Sequence, residues 1–311
     1  MNLTLVRVAR RAMATTFEIA LPQGTPRAVD AASAALDLIE EIEEQLTVYR
    51  DTGEVARLNA TAADGPVAVD AELFRLLESC AGYTLDTAGA FDVAVGALVD
   101  AWGFGKREGR IPTDRELVGA TGRCGFRHVM LGDGTVRFRR PDLKLNFGAI
   151  GKGYALDRAA EFLKRDWGID SALLQGGGSS MLGVGCPPND LRGWSVSIRH
   201  PDPDHAALDV IHLKDQGLGT SAATFQFFEF EGKKYGHVLD PRTGRPAEGT
   251  RSASCIAGSA AEADAISTAF FVAGADWARE YLRSRPYLGA VVLEIDAERA
   301  MGLGSLFGGE A

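Results

Sequence analysis

Segments of helical and of strand-like periodicity follow one another along this chain without the regular strand–helix–strand cadence of a parallel sheet, and that irregular mixture most restricts its fold. Apolar residues recur at helical spacing over 27–47, where Glu40, Glu41, Glu43 and Glu44 form an acidic face, and again over 70–85, 154–167 and 260–272. The last of these is small and apolar enough to read as a buried helix. Residues 15–21 alternate as a half-buried strand does, and 125–138 reads as two strands joined at Gly132-Asp133-Gly134. Further strands are expected at 142–147, 171–174, 194–198, 225–230, 235–239 and 288–293, with a last helix from Asp276 and a glycine-rich tail fraying after Met301. No repeat or Pro/Ser-rich linker interrupts the chain. The expectation is an α+β (mixed α/β) fold, one domain over 1–311 with its core at about 13–295 and mixed sheets flanked by helices.

Charge and cysteine usage exclude several functions. Lys and Arg total 33 against 42 Asp and Glu, a net charge of −9, with no like-charged run, so a nucleic-acid partner is not expected. Cys80, Cys124, Cys186 and Cys255 are far apart and lack zinc-site spacing, which reads as reduced thiols. The first apolar stretches are broken by Arg7, Arg10 and Arg11, and no uninterrupted apolar run reaches about 18 residues. No integral membrane segment and a cytoplasmic location are therefore expected.

Four segments carry polar chemistry, and each admits a bland reading. Gly148-Ala149-Ile150-Gly151-Lys152-Gly153 is not a triphosphate loop, because Asn146 and Gly153 stand where that motif needs Gly and Ser or Thr. Glycines ahead of a helix still let backbone amides approach a phosphate, or they merely turn the chain. Gly176-Gly177-Gly178-Ser179-Ser180 fails the dinucleotide fingerprint at Met181, leaving a tight turn or a surface for a flat ring or pyrophosphate. Asp264 and Thr268, four apart on a helix, present oxygens to one face, suited to a hard cation or to ordinary helix capping. His237, beside the Asp240-Pro241 turn, has the pKa range of a general base, or it is structural.

In order and spacing these segments resemble the FAD:protein FMN transferase (ApbE) family. Met13-Ala14-Thr15-Thr16-Phe17-Glu18-Ile19 is similar to its M-G-T-T strand, and Tyr49-Arg50 through Arg57-Leu58-Asn59 to its Y-R…S-R-L-N segment. Gly89-Ala90-Phe91-Asp92-Val93 with Trp102-Gly103-Phe104 resembles its G-x-F-D and W-G-F stretches, and 145–157 its L-D-L-G-G-I-A-K-G-Y-A-V-D loop. Tyr235-Gly236-His237 through Gly244 resembles its Y-S-H-I-I-D-P-R-T-G block, and 263–268 its metal-binding helix. The resemblance implies a central FAD cleft and a magnesium-dependent transfer of FMN from FAD to a Thr or Ser of an acceptor protein, with AMP released. An FAD hydrolase or a non-catalytic flavin-binding protein are the alternatives. By the same resemblance Ala149, Asp264 and Thr268 hold Mg²⁺, His237 is the base with Asp240 orienting it, and Lys152 either adds charge beside the phosphates or pairs with a carboxylate. FAD contacts fall to Met13, Tyr49, Phe91, Asp92, Gly148, Gly176, Gly177, Gly178, Ser179, Thr220, Ser221 and Asp240. Asn146 for Asp, Gly178 for the Asp of a Gly-Gly-Asp turn, and Ala222-Ala223 for Gly-Asp depart from the family pattern and mark a subgroup with a Gly-Gly-Gly-Ser-Ser turn.

Overall fold

A computed structural model describes residues 3–105, 108–202, 204–222 and 227–307. The chain opens with a hairpin, β1 (Leu5–Ala12) and β2 (Thr15–Pro22), then the helices α1 (Ala28–Leu46) and α2 (Glu54–Thr61), the short strand β3 (Val67–Ala68) and α3 (Ala71–Asp86). After α4 (Gly96–Ala101) and α5 (Asp114–Thr121), β4 (Val129–Gly132) and β5 (Thr135–Phe138) form the expected hairpin, and β3 extends it. Helix α6 (Gly151–Trp167) leads to β6 (Ala172–Gly176), β7 (Ser180–Val184), β8 (Trp194–Ile198), β9 (Asp209–Leu213) and β10 (Gln216–Ala222). The last third holds β11 (Phe227–Phe230), β12 (Lys233–Gly236), β13 (Thr250–Ala257), α7 (Ala260–Ala273), α8 (Ala275–Arg283), β14 (Gly289–Glu294) and β15 (Met301–Leu303).

The α+β class holds, and every ladder among the described residues is antiparallel where mixed sheets were expected. An eight-stranded sheet runs β1-β2-β6-β7-β10-β13-β14-β15. The β8–β9 ribbon packs on one face through Trp194, Val196, Ile198 and Leu213, which meet Ala20, Met181, Leu218 and Ile256. Helices α1, α6 and α7 pack on the other. Helix α7 is apolar nearly all round, and Ala265, Ile266, Ala269 and Phe270 are fully buried, as befits a helix enclosed by protein. Burying a side chain such as Phe270 contributes about 1.5–3 kcal/mol. No helix among the described residues is long and apolar enough to cross a membrane.

What places α7 is glycine. A Cβ on Gly217 would lie 2.5 Å from the Ala260 backbone, one on Gly219 2.4 Å from Ala263, and one on Gly153 2.1 Å from the Ala260 carbonyl oxygen. Real Cβ atoms do not approach so closely, so β10 and α6 must both be bare where α7 crosses them. Strands β10 and β13 carry so many Gly, Ser and Ala residues that their sequence does not read as strand. They are strands because a sheet position under a close helix requires small residues, which overrides weak strand propensity.

Several expectations are corrected. No strand forms at 142–147: the Asn59 side chain accepts from Leu145 N–H at 2.7 Å and donates to its carbonyl at 3.0 Å, while Lys144 and Asn146 bond to Gly96 and Val93. Those backbone groups are satisfied without a ladder. The arginine-broken start is a strand, β1, whose charged face is matched by ion pairs of Arg7 with Glu18 and Arg10 with Asp37, as suits a sheet edge. The strand expected at 235–239 ends at Gly236, and of the one expected at 225–230, residues 225 and 226 lie outside the described residues. The tail does not fray at Met301, because β15 pairs with β14 and buries Leu303; 308–311 lie outside the described residues. Helix α5 was missed although Thr113 and Glu116 form a capping box that the sequence displays.

Gly219→Ala should therefore cost about 1–3 kcal/mol of stability, the range for overpacking a well-packed site. Gly132→Ala, whose Cβ meets nothing within 4 Å, should change stability by less than about 0.5 kcal/mol. Urea unfolding of both variants checks this; equal midpoints would contradict the close-approach account.

Candidate active site

Asp264 sits at the meeting point of three elements. From α7 its Oδ2 accepts the Gly153 N–H of α6 at 2.8 Å, and its Oδ1 accepts the Ser180 hydroxyl of β7 at 2.8 Å. It is 5% exposed, and no basic side chain among the described residues lies within 4 Å of it. Burial raises its pKa, and the nearby Lys152 charge, Ser180 and Gly153 oppose that rise. A buried carboxylate with only neutral hydrogen bonds lacks a countercharge.

Gly153 is the third residue of α6, whose N–H has no acceptor within the helix, so Asp264 caps it from another element. The Ala149 carbonyl, just ahead of the helix, accepts no hydrogen bond among the described residues. The N–H groups of Ala149 and Lys152 likewise have no acceptor there, while those of Gly148, Gly151 and Tyr154 are taken by Asn146, Phe147 and Ile150. The start of α6 thus keeps open donors and an open carbonyl beside a lysine. Lys152 forms no ion pair within 4 Å among the described residues, and its charge reaches Asp264 from farther away.

The start of α7 is the opposite case. Asp157, four residues after Gly153 on the same face of α6, accepts from Ala260 and Ala261 N–H, each at 2.8 Å. Ser259 accepts from Glu262 through its hydroxyl and from Ala263 through its carbonyl. The first-turn donors of α7 are all satisfied, so this helix end presents no anion site. Burial pushes Asp157 up to about 7.

One turn beyond Asp264, Thr268 donates from Oγ1 to the Asp264 carbonyl at 3.1 Å and meets Ser221 Oγ at 3.1 Å. Ser267 bonds the same carbonyl at 2.9 Å and faces Ser221 at 3.2 Å. Thr220 is tied on both sides, by its hydroxyl to Ser254 at 2.8 Å and by its N–H to the Ser179 carbonyl at 2.7 Å. Gly177 and Gly178 take φ of 64° and 72°, and a Cβ on Gly177 would lie 2.4 Å from Thr15 Oγ1. Ser180, which follows the Gly176–Ser179 turn, and Ser221, beside Thr220, thereby reach Asp264 and Thr268 respectively.

Other expected site residues are placed elsewhere. Phe91 is fully buried and packs edge-on against Tyr83, so it belongs to the core rather than to a ligand surface. Asp92 spends its carboxylate on the N–H groups of Ala94 and Phe126, at 2.7 and 2.8 Å, and so ties two loops together. Asp240 does not orient His237: its oxygens accept from Arg242 N, Nε and Nη2 at 2.9, 2.9 and 3.0 Å, closing the 240–245 turn. Trp102 fixes that turn by donating from Nε1 to the Gly244 carbonyl at 2.8 Å. His237 is half-buried just after β12. Met13 occupies the β1–β2 turn at φ 48° and packs on the core, and Tyr49 is 69% exposed beside Gly105. Asn146 caps its own loop by accepting from Gly148 N–H at 2.9 Å. Ser180 and Asp157 were missed as site residues. The spacing of Gly153 and Asp157 on one helix face was the signal that could have found the second.

Comparison with known proteins is consistent across sequence and structure. The profile of the ApbE family matches residues 13–292. An FAD:protein FMN transferase of Treponema pallidum (strain Nichols) is 35% identical over 273 residues, covering 82% of this chain and 75% of that protein. One from Vibrio cholerae (serotype O1, O395) is 30% identical over 86% of this chain and 81% of its own length. The crystal structure of the ApbE protein of Thermotoga maritima MSB8 superposes with a TM-score of 0.88 at 28% identity, covering 98% of both chains. The flavin transferase ApbE of Vibrio cholerae gives 0.87 at 25% identity over 99% of both.

The Asp157 carboxyl binds its proton more tightly in the folded chain than in the unfolded one, whose pKa is about 4. Its contribution to stability is therefore complete below that value and is lost as pH rises through about 7. Asp157→Asn should be less stable than the wild type at pH 5 by about 1 kcal/mol, the usual worth of a helix cap. The difference should narrow by pH 8. Denaturant unfolding at the two pH values checks this, and parallel pH dependences in the two proteins would contradict it.

Proposed function

The chain belongs to the ApbE family, and from that premise we propose how its Asp264 pocket transfers FMN from FAD to an acceptor protein. The observation that carries the reading is the Gly153–Asp264 hydrogen bond: it seats a buried carboxylate, one turn from the Thr268 hydroxyl, against the start of α6, where the Ala149 carbonyl four residues before Gly153 is open. This donor set fits Mg²⁺. Among the described residues no three His, Cys, Asp or Glu side chains converge on a metal site. A cation here would rest on a single carboxylate plus neutral oxygens and would draw its remaining ligands from phosphate and water, which is the habit of Mg²⁺. When bound, the ion neutralises phosphoryl charge and improves AMP as a leaving group.

The residues of the chain do the rest. Asp264, Thr268 and the Ala149 carbonyl hold the ion, and the free N–H groups of Ala149 and Lys152, with the Lys152 ammonium, receive phosphate oxygens at the start of α6. The Gly176–Ser179 turn and the Thr220–Ser221 strand end form the adjoining wall for FAD, with Gly148 beside the phosphates. His237 accepts the proton of an acceptor Thr or Ser hydroxyl. The oxygen so freed bonds to the FMN phosphorus as the bond from that phosphorus to the AMP oxygen breaks. Asp240 acts on this step only through the turn it closes with Arg242, which positions the segment that follows His237.

Incubation of the protein with FAD, Mg²⁺ and an acceptor domain, followed by intact-mass analysis, tests the reading. An FMN-sized adduct on the acceptor and one AMP per transfer are expected, and both should vanish with EDTA. Asp264→Asn should bring transfer to background with the fold retained, since it removes the only anionic ligand. His237→Ala should lower kcat by about 10²–10⁴ while changing FAD affinity little, because a base acts in the chemical step. FMN and AMP without an adduct would instead mean that water takes the acceptor's place.

A further inference from the structure

We infer that Arg199 completes a second phosphate subsite, built on the Gly177–Gly178 turn, two residues before the Ser180 hydroxyl that bonds the Asp264 oxygen facing away from α6. The inference rests on the flavin-transfer reading and assigns that reaction one more binding residue. Arg199 follows β8, outside the strands that carry the site, yet its guanidinium lies over the turn. A Cβ on Gly178 would come within 3.3 Å of Nη1 and 3.5 Å of Cζ. The side chain is exposed and has neither an ion pair nor a hydrogen bond among the described residues.

The turn beneath it offers further donors. The N–H of Gly177 is taken by Thr16, but those of Gly178 and Ser179 have no acceptor among the described residues. Two residues past Gly178, Ser180 donates to Asp264 Oδ1 at 2.8 Å. Two residues span at most about 7 Å, so the turn under the guanidinium adjoins the residue that contacts Asp264. A planar guanidinium fork with two main-chain N–H groups matches phosphate oxygens in charge and geometry. FAD brings two phosphates, and the site offers two groups of open donors, one at the start of α6 with Lys152 and one at this turn with Arg199. Glycine at 178 serves both requirements: it takes the positive φ, and it leaves the space the guanidinium occupies.

Calorimetric titration of AMP and of FMN, each with Mg²⁺, into wild type, Arg199→Ala and Gly178→Asp tests this. Asp is tolerated at positive φ better than most residues, and its carboxylate beside Arg199 would pair with the guanidinium and silence it without removing it. One of the two nucleotides should lose affinity by about tenfold or more in both variants, the worth of a charge-assisted hydrogen bond, and the other should be unaffected. Which nucleotide responds identifies the half of FAD that the subsite holds. Arg199→Lys should fall between, and the unfolding midpoint of Arg199→Ala should match the wild type because the side chain is exposed and unpaired. Unchanged affinity for both nucleotides, equal loss of both, or binding of neither by the wild type overturns the inference. The wild-type transfer assay run alongside separates this from failure of the functional reading: transfer with unaltered nucleotide binding in the variants sinks only the subsite.

Discussion

The Gly153–Asp264 hydrogen bond is the contact on which the rest of the site depends. It can form only because α7 lies against β10 and α6 at distances that exclude a Cβ from Gly153, Gly217 and Gly219. The bond caps the third N–H of α6 from another element, while Tyr154 N–H on the Ile150 carbonyl closes the first helical turn. A carbonyl and two N–H groups are left open beside a carboxylate that burial keeps from solvent. Fold and site are thus one arrangement. The packing that buries α7 also creates the unsatisfied groups that a cation and phosphates can satisfy.

The two helix starts illustrate how similar local structures are put to different uses. Asp157 and Ser259 close the start of α7, which fixes that helix and the side chains it carries. The start of α6 stays open, and Lys152 adds positive charge there. A buried anion is costly to keep without ligand, and the pKa of Asp264, raised by burial against the opposing pull of Lys152, Ser180 and Gly153, expresses that cost. The cost is consistent with a pocket organised for a bound state rather than for the stability of the empty chain.

Much of this was legible in the sequence, and the failures have physical causes. The spacing of four between Asp264 and Thr268 was visible in one dimension, but it suits capping as well as a cation and the family resemblance had to choose; α7 itself was visible because it is apolar nearly all round. The glycine loop before α6 was visible as a loop, but the Asp264 cap on Gly153 was not, since that requires knowing what lies opposite Gly153. Strands β10 and β13 were overlooked because their small residues answer to a helix packed on them rather than to strand propensity. Residues 142–147 read as a strand because apolar alternation does not reveal that the Asn59 side chain, far away in sequence, will satisfy the backbone. Phe91, Asp92 and Asp240 lie in the expected segments yet face the core, two loops and Arg242; motif spacing locates a segment but not the direction of each side chain.

The central claim is that the Asp264 carboxylate, the Thr268 hydroxyl and the Ala149 carbonyl together hold the divalent cation. Anomalous diffraction from crystals grown with FAD and Mn²⁺ in place of Mg²⁺ tests it directly. The account predicts an anomalous peak at about 2.0–2.3 Å from an Asp264 carboxylate oxygen and adjacent to the other two oxygens, with phosphate completing the coordination. A peak elsewhere in the cleft, or none beside Asp264 when FAD is bound, would contradict it.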